Sequence, residues 1–311
     1  MSTNKRVLAA AVVLMATLAG CGSGDSGGDG SSDPLKDDTA DKGTVVVGSN
    51  NFPESILLGD IYGEALKAKG LKVEYKPNIG SRETTYGLIK SGSLTVMPEY
   101  NGSLLAYLDA KATPKTEDET NQGVKDKLDP KLTLLDASPA QDKDSLTLNA
   151  ETAKKLNLTA QSTVGDLKDA ASGLVIGGSP EFQTRQQGLK GLESVYGLKF
   201  KTFKALDAGG PLTVAALKDN KIQVGDVFTT DASIKTNKFV VLQDDKSLFG
   251  FANVVPLAYK SGLSQKGVDA LDAVSAKLTT EELQGLLADV QNERKDPLEV
   301  ASGWLKDKGL S

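Results

Sequence analysis

Few side chains in this sequence could take part in covalent chemistry, because it contains no histidine and only one cysteine, Cys21. Without imidazole there is no Ser-His-Asp or Cys-His pair, no imidazole zinc site and no side chain that ordinarily titrates near neutral pH. A single cysteine forms neither an internal disulfide nor a thiolate metal cluster. The adjacent acids Glu281 and Glu282 lie on one predicted helix and do not face each other. We therefore expect a binding protein rather than an enzyme, with no cofactor and no metal.

The length and charge narrow the class of partner. At roughly 150 residues per domain, 311 residues suggest two domains. Acidic residues number 41 and basic residues 36, so the net charge is −5. Because phosphate contacts need clustered Lys and Arg, no nucleic acid is expected as a partner. The hydrophobic content of 39% is ordinary for a soluble globular core.

The N-terminal residues are typical of a secretion signal. Lys5 and Arg6 precede an apolar run over 7–18, which is shorter than the roughly 20 residues that span a bilayer. The run ends in LAGC, whose last residue is Cys21. This ending resembles the lipobox of bacterial lipoproteins, which implies removal of residues 1–20 and a lipid anchor on Cys21. A buried lone cysteine is the alternative.

Residues 21–43 are rich in Gly, Ser and Asp and have no apolar run. Such a composition cannot bury enough surface to become ordered, so it predicts a flexible tether. The order of anchor, tether and globular body places the body outside the cell, at the extracytoplasmic face of the bacterial cell membrane.

The body begins with alternating strand and helix signals. The run 44–48 is apolar and β-branched, which predicts a buried strand. Pro53 follows a polar turn and favours the first position of a helix. Further strands are predicted at 71–75 and 94–97, with a helix over 82–91 between them. This alternation predicts parallel βαβ units and an α/β fold.

The pattern restarts in the middle of the chain, with a strand predicted at 174–176 and a helix beginning at Pro180. Ligands of open α/β sheets bind beyond the carboxyl ends of the strands, where helix N-termini offer free N–H groups. Two similar α/β lobes facing each other would place both such loops on one cleft. Nearer the C-terminus, Thr279 with Glu282 predicts a capping box, and Asp296 predicts the start of a last helix.

Several stretches of this sequence resemble the glycine betaine/choline/carnitine osmoprotectant-binding proteins of ABC importers. They are VGSNNFPE at 47–54, NIGS at 78–81, MPEYNGS at 97–103, GSPEF at 178–182, GDVFTTD at 225–231 and VLQDDK at 241–246. Their order and spacing extend over nearly all of the body, which is identified as a member of that family.

The resemblance implies a type II periplasmic-binding-protein fold, in which two α/β lobes are joined by crossing strands and close like a hinge. The first lobe would comprise 44–143 and 254–311. The second lobe would comprise 144–253.

In that family a cage of tyrosines holds a quaternary ammonium by cation–π attraction. Tyr100 falls on one cage position and Ser103 on a nearby hydroxyl position. Phe228, followed by Thr229, falls where a second tyrosine is usual. The remaining cage positions lack a ring in this sequence, and one of them falls at Asn253. Tyr100 as a plain core residue is the alternative.

The other expected ligand contacts are polar. Asp142 and Asp144 occupy the second position without a ring, and a solvated turn is their alternative. Asn50 replaces a family lysine or glutamine. Arg185 matches the arginine that grips the ligand carboxylate, since a guanidinium fork pairs with both oxygens. Its alternative is a surface pair with Glu181 on one helix.

An arginine for a carboxylate and aspartates for an ammonium predict a small zwitterion or cation as the ligand. The family implies that a monomeric, lipid-anchored binding protein delivers this solute to an ABC permease and its ATPase. Two alternatives remain open: an amino-acid-like solute, and a sensory or structural lipoprotein on the same fold.

Overall fold

A computed structural model describes residues 43–311. The predicted signal segment, most of the tether and Cys21 lie outside the described residues. The strands are β1 (Val45–Gly48), β2 (Val73–Lys76), β3 (Val96–Tyr100), β4 (Leu132–Leu134), β5 (Leu146–Leu148), β6 (Val175–Gly178), β7 (Thr202–Ala205), β8 (Val224–Asp226), β9 (Val240–Val241) and β10 (Val254–Tyr259). The predicted strands are therefore present, with ends shifted by at most three residues.

Helices follow most of these strands, as the sequence predicts, and three consecutive helices follow the last strand. They are α1 (Pro53–Ala68), α2 (Arg82–Lys90), α3 (Asn101–Leu108), α4 (Glu117–Lys127), α5 (Ala150–Leu156), α6 (Leu189–Tyr196), α7 (Pro211–Lys218), α8 (Ser233–Thr236), α9 (Gln265–Ser275), α10 (Thr280–Gln291) and α11 (Pro297–Asp307). Among the helices of this described part, none has the length and apolar content that crossing a membrane requires.

Two five-stranded sheets share one pattern. The first has the order β2-β1-β3-β10-β4, and the second has the order β7-β6-β8-β5-β9. The first three strands of each order are parallel, as the βαβ prediction requires. The fourth strand, β10 or β5, is antiparallel to its neighbours on both sides.

Helices cover both faces of the first sheet. Along β1, Val45 and Val47 pack with α1, α9, α10 and α11 on one face, while Val46 packs toward α2 and α3 on the other. Because successive side chains of a strand point to opposite faces, burying both faces requires a continuous apolar run rather than an alternating one. This explains the valine run in the first strand.

The ends of β3 differ from the prediction because the strand runs on through Pro98. Proline has no N–H and is normally excluded from inner strands. Here Pro98 lies opposite Pro256 of β10, at a pair position where neither residue needs to donate. The strand therefore continues to Tyr100, which brings the tyrosine to the carboxyl edge of the sheet.

The chain passes between the two sheets along two crossing segments, 135–145 and 242–253. They lie side by side: the N–H of Asp142 donates to the carbonyl of Ala252, and the N–H of Val254 donates to the carbonyl of Ala140. Such paired segments are suited to a hinge. The predicted lobe boundaries fall at the ends of these segments and stay predictions.

The helix expected at Pro180 is instead a short 3₁₀ turn, Pro180–Gln183, capped by Ser179. The chain then folds back, since a Cβ on Gly188 would lie 2.0 Å from the carbonyl oxygen of Phe182. The α-helix of this unit begins only at Leu189. Pro180 is therefore the first residue of a helix, as predicted, but that helix is a single 3₁₀ turn.

The two predicted caps near the C-terminus differ in outcome. Asp296 accepts hydrogen bonds from two backbone N–H groups at the start of α11, as predicted. Thr279 caps α10, but the capping box is half formed. The Glu282 carboxylate instead accepts from Trp304 Nε1 and Lys308 Nζ, which ties α10 to α11.

Gly102 provides a test of the packing between α3 and the second crossing segment. A Cβ at Gly102 would lie 1.6 Å from the carbonyl oxygen of Phe251, so the backbone would have to move. We expect Gly102→Ala to lower the free energy of unfolding by about 3 kcal/mol, measured by chemical denaturation. Gly87→Ala is the control, because Gly87 lies on the exposed side of α2 with no atom within 4 Å. It should raise stability by about 0.5–1 kcal/mol, and equal effects at both sites would contradict this packing.

Candidate functional site

A cleft lies at the carboxyl edges of the two sheets, between loops that follow their strands. Loops after β1 and β3 contribute from the first sheet, and loops after β6 and β8 contribute from the second. Seven of the nine predicted ligand-binding residues line it: Asn50, Tyr100, Ser103, Asp142, Asp144, Arg185 and Phe228. The predicted ring and guanidinium therefore line one cleft.

The other two predicted residues do not line this cleft. Thr229 lines a neighbouring cavity, and its hydroxyl accepts from the N–H of Lys143 and contacts Asp142 at 3.4 Å. Asn253 is 1% exposed and holds the crossing segments, since its side-chain amide donates to the carbonyl of Ser138. Both residues therefore contact the crossing segment 135–145. Cys21, predicted to carry a lipid, lies outside the described residues.

Three aromatic rings lie together in the cleft, Phe52 and Tyr100 from the first sheet and Phe228 from the second. The ring centroid of Phe52 lies 5.0 Å from that of Phe228 and 5.9 Å from that of Tyr100. Phe52 was not among the predicted site residues, although its place in the turn after β1, directly before Pro53, was an available signal. Two cage positions of the family have no ring in this sequence. Phe52 supplies a third ring beside Tyr100 and Phe228.

The hydroxyl of Tyr100 is bound within the protein. It donates to Oε1 of Glu54 at 2.8 Å, and both residues are buried. Tyr100 is thus both a cleft residue and a core residue, so the cage position and its core alternative both describe part of its role. Glu54, at the second position of α1, was also missed by the sequence analysis.

A single threonine connects two buried carboxyl groups. The hydroxyl of Thr230 contacts Glu54 Oε2 and also Asp142 Oδ1, the latter at 2.9 Å. A hydroxyl has one hydrogen to donate. One of the two contacts therefore requires a proton on a carboxyl group, so the pair Glu54 and Asp142 retains a proton.

The pKa shifts agree with this count of hydrogens. Burial raises the pKa of Glu54 to about 7, against the lowering effect of hydrogen bonds from Thr230 and Tyr100. Burial and the neighbouring Glu54 raise the pKa of Asp142 well above its usual range. Asp142 is 4% exposed, so the alternative of a solvated turn is wrong for this residue.

Asp144 is the more accessible of the two predicted aspartates. Burial raises its pKa, and the positive charges of Arg185 and Arg82 oppose that effect. Behind it, the pKa of Asp226 is raised well above its usual range by burial and by Asp144 itself. The polar side of the cleft therefore contains more carboxyl groups than the sequence pattern suggested.

Both arginines that line the cleft are paired with carboxylates of the chain. Arg82 is almost fully buried, and its Nε and Nη2 donate to Glu99 at 2.9 Å each. Arg185 donates from Nε to Glu83 Oε1 at 3.1 Å and from Nη2 to Glu83 Oε2 at 2.8 Å. The alternative partner of Arg185, Glu181, does not receive its guanidinium.

Two helix starts contribute to the same cleft. Ser81 occupies the N-cap position of α2, although its side chain makes no bond to the helix backbone. Ser179 caps the short 3₁₀ turn on the opposite side.

Within residues 43–311, no group of three or more His, Cys, Asp and Glu side chains is arranged to hold a metal ion. The cleft is therefore built from rings, carboxyl groups and paired arginines.

Comparison with known proteins relates this cleft to solute binding. Residues 43–307 match the family model described as the substrate binding domain of the ABC-type glycine betaine transport system. The glycine betaine-binding protein YehZ of Escherichia coli is 28% identical over 277 residues, which are 85% of this chain and 90% of that protein. The carnitine transport binding protein OpuCC of Listeria monocytogenes is 26% identical over 272 residues, covering 85% and 87%.

Solved structures show the same architecture. The crystal structure of a glycine betaine/carnitine/choline ABC transporter protein aligns with a TM-score of 0.66 and 25% identity, covering 86% of this chain and 99% of that one. Apo YehZ aligns with a TM-score of 0.59 and 25% identity over the same shares. The predicted two-lobed periplasmic-binding-protein fold is confirmed.

The raised pKa of Glu54 makes stability depend on pH. The usual pKa of this carboxyl group is 4.5, and in the folded chain it is about 7. Between these values the folded state binds more protons, so the free energy of unfolding falls as pH rises. We expect Glu54→Gln to make this fall shallower by up to about 1.4 kcal/mol per pH unit, measured by denaturation from pH 5 to 8.

Glu74→Gln is the control for this measurement, because Glu74 is an exposed residue of β2. It should keep the slope of the parent chain. Parallel curves for the parent and Glu54→Gln would show that Glu54 does not hold the proton.

Proposed function

The chain belongs to the family of substrate-binding domains of ABC-type glycine betaine transport systems, and on that basis we propose that it is the extracytoplasmic solute-binding component of an ABC importer. Its ligand is a small cation or zwitterion of the betaine, choline or carnitine type. It acts by capturing this solute and performs no reaction on it.

The observation that carries the proposal is the meeting of rings and acids in one cleft. Phe52, Tyr100 and Phe228 offer aromatic faces, and Asp142 and Asp144 offer carboxyl groups. A quaternary ammonium has no N–H, so ring faces suit it, each favourable contact contributing about 0.5–2 kcal/mol. A few such contacts, with partial exclusion of water, support an affinity on the order of micromolar, about −8 kcal/mol.

Transport requires that the solute favour one arrangement of the lobes. A ligand held by Tyr100 from the first sheet and by residues of the second bridges both sides of the cleft. It stabilises a closed form by its higher affinity for that form, and the crossing segments 135–145 and 242–253 supply the hinge. The closed form then docks on a membrane permease, and a cytoplasmic ATPase drives the solute through.

The N-terminal pattern completes the proposal. A lipid anchor on Cys21 and the tether after it hold the monomeric body near the permease at the outer face of the membrane. Two or more acyl chains give stable anchoring, since each buried CH₂ contributes about 0.8 kcal/mol.

A second candidate ligand is an amino-acid-like solute with a primary or secondary ammonium. The carboxyl groups of Asp142 and Asp144 line the cleft and accept N–H hydrogen bonds, which a trimethylammonium cannot donate. The two candidates therefore predict different responses to the same substitution.

Phe228→Ala tests the aromatic side. Loss of one ring face should weaken binding of glycine betaine or choline roughly five- to tenfold, measured by isothermal titration calorimetry. Phe228→Tyr keeps the ring and should bind as the parent does. If none of the betaines, choline, carnitine, proline and basic amino acids raises the melting temperature of the parent, the solute-binding proposal fails.

Asp144→Asn distinguishes the two ligand classes. It should weaken an amine with N–H donors by tenfold or more, because it removes the charge that accepts them. It should weaken a trimethylammonium solute less, because only the long-range charge is lost. Tight glycine betaine binding that ignores this change would exclude the amino-acid-like candidate.

A further inference from the structure

The guanidinium of Arg185 lies at the mouth of the cleft and already holds a carboxylate. Glu83 faces it through both oxygens, in the two-point geometry that a guanidinium offers to any carboxylate. The two residues are 102 positions apart and come from the two sides of the cleft, Glu83 from the first turn of α2 and Arg185 from the turn after β6. The side chain of Glu83 therefore stands in for the acid end of a solute.

The guanidinium of Arg82 also lines the cleft, but it is not free to bind a ligand carboxylate in place of Arg185. Arg82 is bound on the same side of the cleft by Glu99, whose side chain is fully buried. Releasing Arg82 would leave a buried carboxylate without its partner, which is costly. Arg185 and Glu83 have side chains 32% and 41% exposed, so their separation costs less. Arg185 is therefore the arginine that a ligand carboxylate could reach, and only by displacing Glu83.

The other ionisable side chains of the cleft also favour a cation over a carboxylate. Asp142 and Asp144 line it as carboxyl groups, while neither arginine there has a vacant fork. A cation finds acceptors in this cleft as it stands. A carboxylate on the same solute finds its natural partner occupied and meets other acids nearby.

We propose that Glu83 is a specificity-determining residue, whose carboxylate fills the fork of Arg185 and so biases the cleft against solutes that carry a carboxylate of their own. This inference rests on the proposed solute-binding function and names the feature of the solute that the site discriminates. Cations whose polar end is uncharged keep the Glu83–Arg185 pair intact when they bind. Zwitterions must break it and return Glu83 to water.

The ionisation of Glu83 keeps the pair in place over the useful pH range. Partial burial alone would raise its pKa, but hydrogen bonds from Arg185 and Ser81 lower it to about 2. Near neutral pH, protonation of Glu83 therefore does not free the fork of Arg185, and displacement by another carboxylate is the available route.

Glu83→Gln tests the proposal with two solutes that share a trimethylammonium group. Glycine betaine carries a carboxylate and choline a hydroxyl, so the ratio of their dissociation constants isolates the acid end. Because the pair is partly exposed, we expect a moderate effect: Glu83→Gln should shift the ratio five- to tenfold in favour of glycine betaine, measured by calorimetry. If the panel shows an amine ligand instead, L-arginine and agmatine form the equivalent pair.

Glu193→Gln is the matched control. Glu193, on α6, also forms an exposed ion pair, in which its carboxylate lies 3.1 Å from Nζ of Lys199. Glu193 does not line the cleft. The control removes the same unit charge and should leave the ratio within twofold of the parent. An unchanged ratio in Glu83→Gln, or an equal shift in Glu193→Gln, would overturn the proposal.

A double-mutant cycle in denaturation adds a readout that needs no ligand. Glu83→Gln, Arg185→Gln and the double variant should be non-additive, because each single change removes the same contact. Additive effects would show that the pair does not form in solution and would overturn the inference even if solutes bind. If the cycle shows coupling while neither solute pair binds, the proposed function fails, and with it the role of Glu83 in specificity.

Discussion

The floor of the cleft depends on the contact of Thr230 with Glu54 and Asp142. Glu54 lies in the first turn of α1 on the first sheet, Thr230 follows β8 of the second, and Asp142 belongs to a crossing segment. Two carboxyl groups can be buried this close only if a proton remains between them, because two bare charges would repel in a medium that screens poorly. That shared proton lets the loops of both sheets meet a crossing segment at one point, and Glu54 also accepts a hydrogen bond from the hydroxyl of Tyr100.

Above this floor, charge is arranged in pairs that differ in exposure. The pair of Arg82 with Glu99 is buried and belongs to one side of the cleft, so it supports the shape of that side. The pair of Arg185 with Glu83 is partly exposed and spans both sides, so it opens at smaller cost. A buried pair is thus suited to a fixed wall and a bridging pair to a part that exchanges partners during solute capture.

Much of the site was readable in the chain because its residues follow strands directly. Asn50, Tyr100 and Phe228 were predicted from motifs shared with a known family, and the structure places each of them at or just after the carboxyl end of a strand. The partners of these residues were not readable. Glu54 looks like an ordinary first-turn acid, Phe52 like part of a turn, and Glu83 like a solvated helix residue, since nothing local encodes a contact with Thr230 or Arg185.

The sequence by itself determined the alternation of strands and helices, the two similar halves and the family, because these follow from apolar periodicity, turn residues and ordered motifs that act over a few positions. Only the tertiary structure decided which charges meet. Burial and partners 88 or more positions away set the proton shared by Glu54 and Asp142 and the occupation of Arg185 by Glu83. Such pairings depend on distances of a few ångströms between loops of different sheets, and the linear order of residues contains no measure of those distances.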